Sequence, residues 1–324
     1  VMPALTSMFR DMTGIRFEHP EFIAENCTAC GDCWTVCPDT AIPGLVNDVG
    51  QVLDTVVKRV KKKGKPAEHL PRAVRKMESR LRAEMNASGE DASVGEIMRF
   101  AIEQTVAESD ADTREALAGE FESFSEELDG FQFALSRPYW TLPEKKQPGS
   151  GGLLSITIDP YTCKGCMECV AVCDDDALRP VTQTPETIDR LREHWDFWLD
   201  LPNTPKKFIR VDDLEERIGA LETILLDKDN YLAFASGDGA CLGCSEKTVV
   251  HLFVATVEAL MQPRISKHLA HIGELIGKLK QLVQAKLVGE IDLSDTEEIM
   301  RAVDGIGEQD VTLAGIADRI EHDK

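Results

Sequence analysis

The feature that most constrains this chain is a cysteine pattern that occurs twice. Eight of its ten cysteines lie in two runs with the spacing C-x2-C-x2-C-x3-C, which are Cys27, Cys30, Cys33, Cys37 and Cys163, Cys166, Cys169, Cys173. A disulfide framework spreads its cysteines through a fold, whereas gaps of two and three residues are typical of metal ligands. The spacing therefore predicts metal binding and a reducing compartment, and we expect a cytoplasmic protein.

The same spacing favours iron–sulfur clusters over zinc or buried free thiols. Zinc sites usually combine two separated C-x2-C pairs, whereas four cysteines in one run are typical of [4Fe–4S] binding. In two-cluster ferredoxins the fourth cysteine of each run ligates the other cluster. We therefore predict two [4Fe–4S] clusters with crossed ligand sets, namely Cys27, Cys30, Cys33 with Cys173, and Cys163, Cys166, Cys169 with Cys37.

Neither motif leaves an iron without a thiolate, so the pattern predicts electron transfer and not substrate chemistry at the clusters. Gly31 and Gly165 lie between the cysteines and have two interpretations. They let backbone N–H groups approach the sulfurs, which tunes a cluster, or they simply serve the geometry of a turn.

Apolar periodicity and turn residues predict an α+β fold. We expect a bacterial-type 2x[4Fe–4S] ferredoxin core over residues 1–45 and 149–185, a helical insertion over 46–148, a helical connector over 186–235, and a mainly helical region over 236–324. The insertion shows helical spacing at 52–63, 71–85 and 113–128, and Ser93 with Glu96 forms a capping box for a further helix. The segment 147–152 is expected to be a flexible linker, 153–159 a strand, and Pro263 a break between two helices.

The charge of the chain limits its partners. The net charge is -21, from 36 Lys and Arg against 57 Asp and Glu, which argues against nucleic acid as the main partner. No apolar run reaches the length of a membrane-spanning helix, and the N-terminus shows no secretory signal. The chain does not begin with Met, which fits processing or a piece of a longer polypeptide.

Two basic islands, residues 58–65 and 72–82, stand out in this acidic chain. One hypothesis is a docking site for an acidic ferredoxin or flavodoxin, steered by charge. The alternative, which we favour, is a solvated helix face.

The remaining cysteines, Cys241 and Cys244, form a lone C-x2-C pair. Such a pair can be a redox dithiol, half of a zinc site, or half of another cluster, and no unused cysteine completes a four-thiolate site. Gly237-Asp-Gly239 resembles the start of a thiamine-diphosphate motif, but no Asn follows Asn230 to serve as the magnesium ligand, so a simple turn is favoured.

The order of the motifs resembles the family of pyruvate:ferredoxin oxidoreductase and related 2-oxoacid oxidoreductases. Two full cysteine motifs are followed by Gly-Ala-Cys-x-Gly-Cys-x-Glu, which in that family opens the thiamine-diphosphate domain. The resemblance implies that Cys241 and Cys244 ligate a third [4Fe–4S] cluster and that Glu246 lies beside the cofactor. It covers residues 20–45, 150–185 and 235–262, and it implies that residues 236–324 are the start of a thiamine-diphosphate-type domain, with the C-x2-C pair and a helical extension.

Three departures accompany this resemblance. The insertion is longer than usual, a further ligand downstream of Cys244 is absent, and the catalytic domains are missing. The resemblance therefore implies one segment or subunit of a larger enzyme, which passes electrons from thiamine diphosphate with Mg, held elsewhere, to an external ferredoxin or flavodoxin. The alternative is a stand-alone polyferredoxin-like subunit of another redox complex, in which Cys241 and Cys244 are structural.

Overall fold

A computed structural model describes residues 11–209, 220–233 and 245–290 of the chain. The chain forms two compact units, residues 1–260 and 261–324, and the second is described only as part of one long helix. The described residues combine many helices with short strands, so the fold mixes α and β structure as the sequence predicts. The finer prediction of a ferredoxin-type core remains a prediction.

Two small antiparallel sheets join the parts of the chain that carry the cysteine motifs. Their strands are β1 (Glu18–Phe22), β2 (Gly44–Asp48), β3 (Gly152–Ile156) and β4 (Leu178–Thr182). β1 pairs with β4, which places Phe22 opposite Leu178, and β2 pairs with β3, which places Asp48 opposite Gly152. Because β1 and β2 flank the first motif and β3 and β4 flank the second, this pairing brings the two motifs side by side.

The described ranges also contain the following α-helices. They are α1 (Asp32–Val36), α2 (Val49–Lys62), α3 (Leu70–Ala87), α4 (Val94–Ala107), α5 (Ala111–Glu127), α6 (Leu142–Lys146), α7 (Glu168–Ala171), α8 (Pro185–Asp200), α9 (Ala220–Leu225), α10 (Lys228–Ala233) and α11 (Ser245–Glu290). The helices predicted at 52–63, 71–85 and 113–128 are confirmed as α2, α3 and α5, with ends shifted by a few residues.

The insertion helices form because their apolar residues recur on one face. In α2 the buried residues include Val49, Val52, Val56 and Val60, which follow one another every three or four positions. They share one apolar core with α3, α4, α5, β3 and α8. Ser93 precedes α4 as predicted, but its side chain makes no capping hydrogen bond, so the predicted capping box is wrong in this detail.

Trp195 and Trp198 belong to the same core. Their rings are stacked at 4.9 Å between centroids, and both side chains are buried. The i, i+3 spacing places them on one face of α8, so the prediction that they pack in the core is confirmed.

The segment 147–152 is not a flexible linker, and that prediction is wrong. The buried carboxylate of Glu144 accepts hydrogen bonds from the backbone N–H groups of Gly149 and Gly151, both at 2.8 Å. Arg82 lies 3.2 Å from the same carboxylate. These contacts fix the turn before β3, because a buried carboxylate needs donors and the turn supplies two of them.

The prediction of a helix break at Pro263 is also wrong. Pro263 lies inside α11, which runs from Ser245 to Glu290. A proline removes one intrahelical hydrogen bond and can be accommodated by a local kink, so it does not have to end a helix. None of the helices in the described ranges has both the length and the apolar character needed to cross a bilayer.

Candidate metal centres

The two cysteine motifs occupy equivalent positions of an internal repeat. Each cysteine of the second motif follows its counterpart by 136 residues, as Cys163 follows Cys27. The short helices α1 and α7 begin at positions related by the same offset, Asp32 and Glu168, and they pack against each other. The two motifs are therefore alike in structure as well as in spacing.

Both cysteine loops depend on residues in the left-handed region. Positive φ angles occur at three equivalent pairs of positions, which are Ala29 and Gly165, Gly31 and Met167, and Thr40 and Asp176. Residues other than glycine rarely adopt this conformation. Its recurrence at equivalent positions therefore indicates that the path of the loop requires it.

Gly165 shows what this path demands. Its φ is +68°, and a Cβ atom there would lie 2.4 Å from the carbonyl oxygen of Glu18. Its backbone N–H also acts on the sulfur of Cys163, where it partly offsets the rise that burial causes in the pKa of that thiol. For Gly165 both interpretations of the glycine hold, since it serves the turn and lets the backbone approach a sulfur.

Each motif contributes cysteines to two separate cavities. The cavity that we call site A is lined by Cys27, Cys30, Cys33 and Cys173. The cavity that we call site B is lined by Cys163, Cys166, Cys169 and Cys37. The structure thus groups the cysteines into the same two sets of four that the spacing predicts as ligands, and their role as ligands stays a prediction.

The environment of the cysteines is mostly apolar. All eight are free thiols, and burial raises the pKa of Cys27 and Cys37 to about 12 and that of Cys163 to about 11. Burial also raises the pKa of Cys33 and Cys169. A buried thiolate needs a compensating positive group, and iron is one such group.

Backbone N–H groups face the sulfurs in both halves. Ala41 donates to Cys37 Sγ and Ala177 donates to Cys173 Sγ, each at 3.3 Å. Among the described residues no three His, Cys, Asp or Glu side chains converge on a point where a single metal ion would bind. Four thiols around each cavity, with N–H donors to sulfur, fit the chemistry of a cubane cluster, which takes one thiolate at each iron.

Three charged residues beside site B were not predicted from the sequence. Lys164 and Asp39 form a buried ion pair, and Arg16 is buried with its guanidinium against the carbonyl oxygen of Cys163 at 2.8 Å. A position-by-position comparison of the two motifs points to Lys164, because its counterpart is the neutral Thr28. Nothing in the sequence near Arg16 marks it, since its contacts beside site B, with the carbonyl oxygens of Pro160 and Cys163, lie more than 140 residues away.

The basic island at 58–65 makes ion pairs within the chain. Arg59 lies 3.0 Å and Lys63 2.6 Å from the carboxylate of Glu127 in α5, and Lys62 lies 3.9 Å from Asp200 in α8. These charges join the insertion helices to α8. The docking hypothesis therefore gains no support from them.

The structure describes little of the remaining predicted site residues. Cys241 and Cys244 lie outside the described residues. Glu246 falls in the first turn of α11, and its side chain is outside what the structure describes.

Comparison with known proteins gives partial matches. No protein-family model matches the chain. A pyruvate dehydrogenase (NADP+) of Cryptosporidium parvum is 30% identical over 128 residues, or 39% of this chain. A putative pyruvate-flavodoxin oxidoreductase of Synechocystis is 28% identical over 115 residues, or 33%, and a pyruvate-flavodoxin oxidoreductase of Nostoc is 27% identical over 105 residues, or 30%.

These matches support the coarser part of the resemblance. The aligned segments cover only 6%, 9% and 8% of these relatives, so the chain spans less than a tenth of their length. All three relatives carry names of pyruvate oxidoreductases. They support a relation to that family and do not favour the alternative of a subunit from another redox complex.

Proposed function

We propose that this chain is an electron-transfer part of a 2-oxoacid oxidoreductase, with pyruvate as the expected substrate, and that it binds one [4Fe–4S] cluster at site A and one at site B. The observation that carries the proposal is the pair of cavities, each lined by four cysteines drawn from both motifs. The partial similarity to pyruvate oxidoreductases supports the substrate class. When bound, such clusters supply one-electron transfer at a potential set by their surroundings.

The protein's own residues would hold and tune these clusters. The eight cysteines provide thiolates, so cluster assembly would release their protons. The N–H groups of Ala41 and Ala177 point at sulfurs and would lower their electron density. Buried Trp34 and Ile156 line site A and buried Ile158 lines site B, and they give each cavity an apolar wall that limits the access of water.

The rest of the reaction would take place outside the described residues. By resemblance, Cys241 and Cys244 would ligate a third [4Fe–4S] cluster together with residues outside the chain. Glu246 would lie near thiamine diphosphate and Mg in the remaining catalytic domains or subunits. An external ferredoxin or flavodoxin would accept the electrons.

Anaerobic reconstitution of the whole chain tests the cluster proposal. We expect about eight irons at sites A and B, a broad brown absorption, and electron paramagnetic resonance signals of reduced [4Fe–4S] clusters. A colourless protein that binds zinc in stoichiometric amount would contradict the proposal.

Paired cysteine variants test the crossed arrangement. Cys30→Ala with Cys173→Ala removes two cysteines of site A, so we expect one intact cluster and about four irons. The matched control, Cys30→Ala with Cys37→Ala, removes one cysteine from each site, so we expect both clusters to be lost or damaged. If Cys30→Ala with Cys37→Ala keeps one intact cluster and Cys30→Ala with Cys173→Ala keeps none, each motif holds its own cluster.

The assembled enzyme tests the wider role. We expect about twelve irons if Cys241 and Cys244 contribute to a third cluster, and about eight if they do not. Reduction of a viologen dye should require pyruvate, thiamine diphosphate and coenzyme A. Dye reduction that is independent of a 2-oxoacid would point to another redox complex.

A further inference from the structure

The internal repeat relates two residue pairs that lie beside the two sites. Thr28 follows the first cysteine of one motif, and Lys164 follows the first cysteine of the other. Asp175 and Asp39 each stand two residues after the fourth cysteine of a motif. The offset of 136 residues therefore makes Thr28–Asp175 equivalent to Lys164–Asp39.

The two pairs have the same geometry and a different charge. At site A the hydroxyl of Thr28 donates to the carboxylate of Asp175 at 2.5 Å, near the surface. At site B the ammonium of Lys164 donates to the carboxylate of Asp39 at 2.5 Å, with 1% and 3% of the two side chains exposed. The first pair carries one net negative charge, and the second carries none.

Other charges beside the sites do not add to this difference. Asp32 and Asp175 are the charged residues that line site A, and Asp39 and Lys164 are those that line site B. The counterpart of Asp32 in the repeat is Glu168, which is also exposed, so these two acids balance between the sites. Site B also has the buried Arg16, whose counterpart position in the repeat is Gly152 and has no side chain. Buried Asp159 lies close enough to offset the charge of Arg16, so the net difference between the sites is the positive charge of Lys164.

We propose that the Lys164–Asp39 pair, which replaces the Thr28–Asp175 pair of the other half of the repeat, gives the cluster at site B the higher reduction potential. The first electron taken up would then reside at site B. This inference rests on the proposed function, since it assumes a cluster at each site. Reduction adds a negative charge, which uncompensated carboxylates oppose and a nearby cation favours. The lower dielectric around the buried pair strengthens the effect.

Two other influences on the reduction potentials would not by themselves give site B the higher value. The hydrogen bonds from Ala41 to Cys37 and from Ala177 to Cys173 are equal in length, so they cancel between the sites. Cys27, Cys30 and Cys173 of site A are partly exposed, against Cys166 in site B, and contact with water favours the reduced state at the more exposed site. Exposure alone would therefore give site A the higher reduction potential. The difference in charge must outweigh this effect for site B to have the higher one.

Redox titration of the reconstituted whole chain, followed by electron paramagnetic resonance, tests the inference. Thr28→Lys adds a cation beside Asp175 at an exposed position, so the lower midpoint potential should rise and the upper one should stay. We expect at least a tenfold change in the reduction equilibrium, which is 59 mV for a one-electron couple. Thr28→Gln, the control of similar length without charge, should leave both midpoints in place.

Variants of the buried pair test the other site. Lys164→Met removes the cation and should lower the upper midpoint by at least the same tenfold factor. The double variant Asp39→Asn with Lys164→Met restores a neutral pair and should bring the upper midpoint back. Thr28→Lys raises the lower midpoint potential and Lys164→Met lowers the upper one, so each variant should reduce the difference between the two midpoints.

Iron content separates this inference from the proposed function. If the wild-type chain does not hold about eight irons, the proposed function fails. If the clusters are intact and Thr28→Lys moves the upper midpoint, or moves neither, the inference about charge is wrong. Lys164→Met carries the risk of misfolding, since it leaves Asp39 buried without its cation, but Thr28→Lys at the surface still decides the question.

Discussion

Tyr231 in α10 accepts a hydrogen bond from the backbone N–H of Ile42, at 2.9 Å between Ile42 N and the phenol oxygen. Ile42 lies in the segment between Cys37 and β2, and Tyr231 lies 189 residues later. The Tyr231 side chain is 1% exposed. The contact therefore ties the region after β4 to the loop that carries a cysteine of site B.

We expect Tyr231→Phe to destabilise the protein by about 1–3 kcal/mol, because it leaves a buried N–H without an acceptor. Urea unfolding of the reconstituted protein, followed by tryptophan fluorescence, measures this loss. Tyr161→Phe is the matched control, since Tyr161 is only partly buried, and we expect a change below about 0.5 kcal/mol. Equal effects of the two variants would contradict the role given to Tyr231.

Gly165→Ala should disrupt site B. A Cβ atom would meet the carbonyl oxygen of Glu18 at 2.4 Å, and a backbone oxygen in a strand cannot move far. We expect a loss of more than about 2 kcal/mol of stability and of about four irons. Gly64→Ala is the control, because Gly64 has a similar φ of +72° with nothing within 4 Å of the added atom.

For Gly64→Ala we expect only the conformational cost of a left-handed alanine, about 1 kcal/mol, and full iron content. Iron analysis and urea unfolding of both variants give the comparison. If Gly165→Ala retains all its iron, the close approach to Glu18 is not essential to site B.

Acid should weaken the fold through His194. Burial lowers the pKa of this imidazole, whose Nε2 lies 2.9 Å from the carbonyl oxygen of Asp129. Because folded His194 binds a proton less readily than unfolded His194, the unfolded state takes up more protons as the pH falls below about 6.5. The free energy of unfolding should therefore fall between pH 7 and pH 5.

In His194→Gln the free energy of unfolding should fall less between pH 7 and pH 5 than in the wild type. Urea unfolding at several pH values measures this dependence. Burial lowers the pKa of His19 as well, so some dependence should remain. His268→Gln, on an exposed position of α11, should leave the slope unchanged. A slope that is the same in wild type and His194→Gln would show that this histidine does not contribute.

Spacing and periodicity predicted those parts of the structure that depend on short stretches of sequence. The cysteine spacing predicted crossed ligand sets, which require the two motifs to lie side by side, and the pairing of β1 with β4 and of β2 with β3 places them so. Helical periodicity predicted α2, α3 and α5 because each buries one face. These signals repeat within a few residues, so a single sequence displays them.

Local patterns in the sequence could not predict contacts between residues that lie far apart in the chain. Tyr231 sits in a short helix, and no local pattern links it to Ile42. The turn at 147–152 has the composition of a flexible linker, yet Glu144 fixes it, because composition does not show whether a carboxylate faces the backbone. Lys164 could have been noticed against Thr28, but its burial with Asp39 could not.

The pairing of strands across the insertion has a consequence for synthesis on the ribosome. β1 and β2 emerge early, but their partners β4 and β3 follow more than 100 residues later. Until Cys173 has been translated, site A has three of its four cysteines, and until Cys163, Cys166 and Cys169 appear, site B has one. With the proposed clusters, the nascent chain would therefore have to keep four early thiols unoxidised while the insertion folds, and delivery of iron and sulfide would have to wait for the second motif.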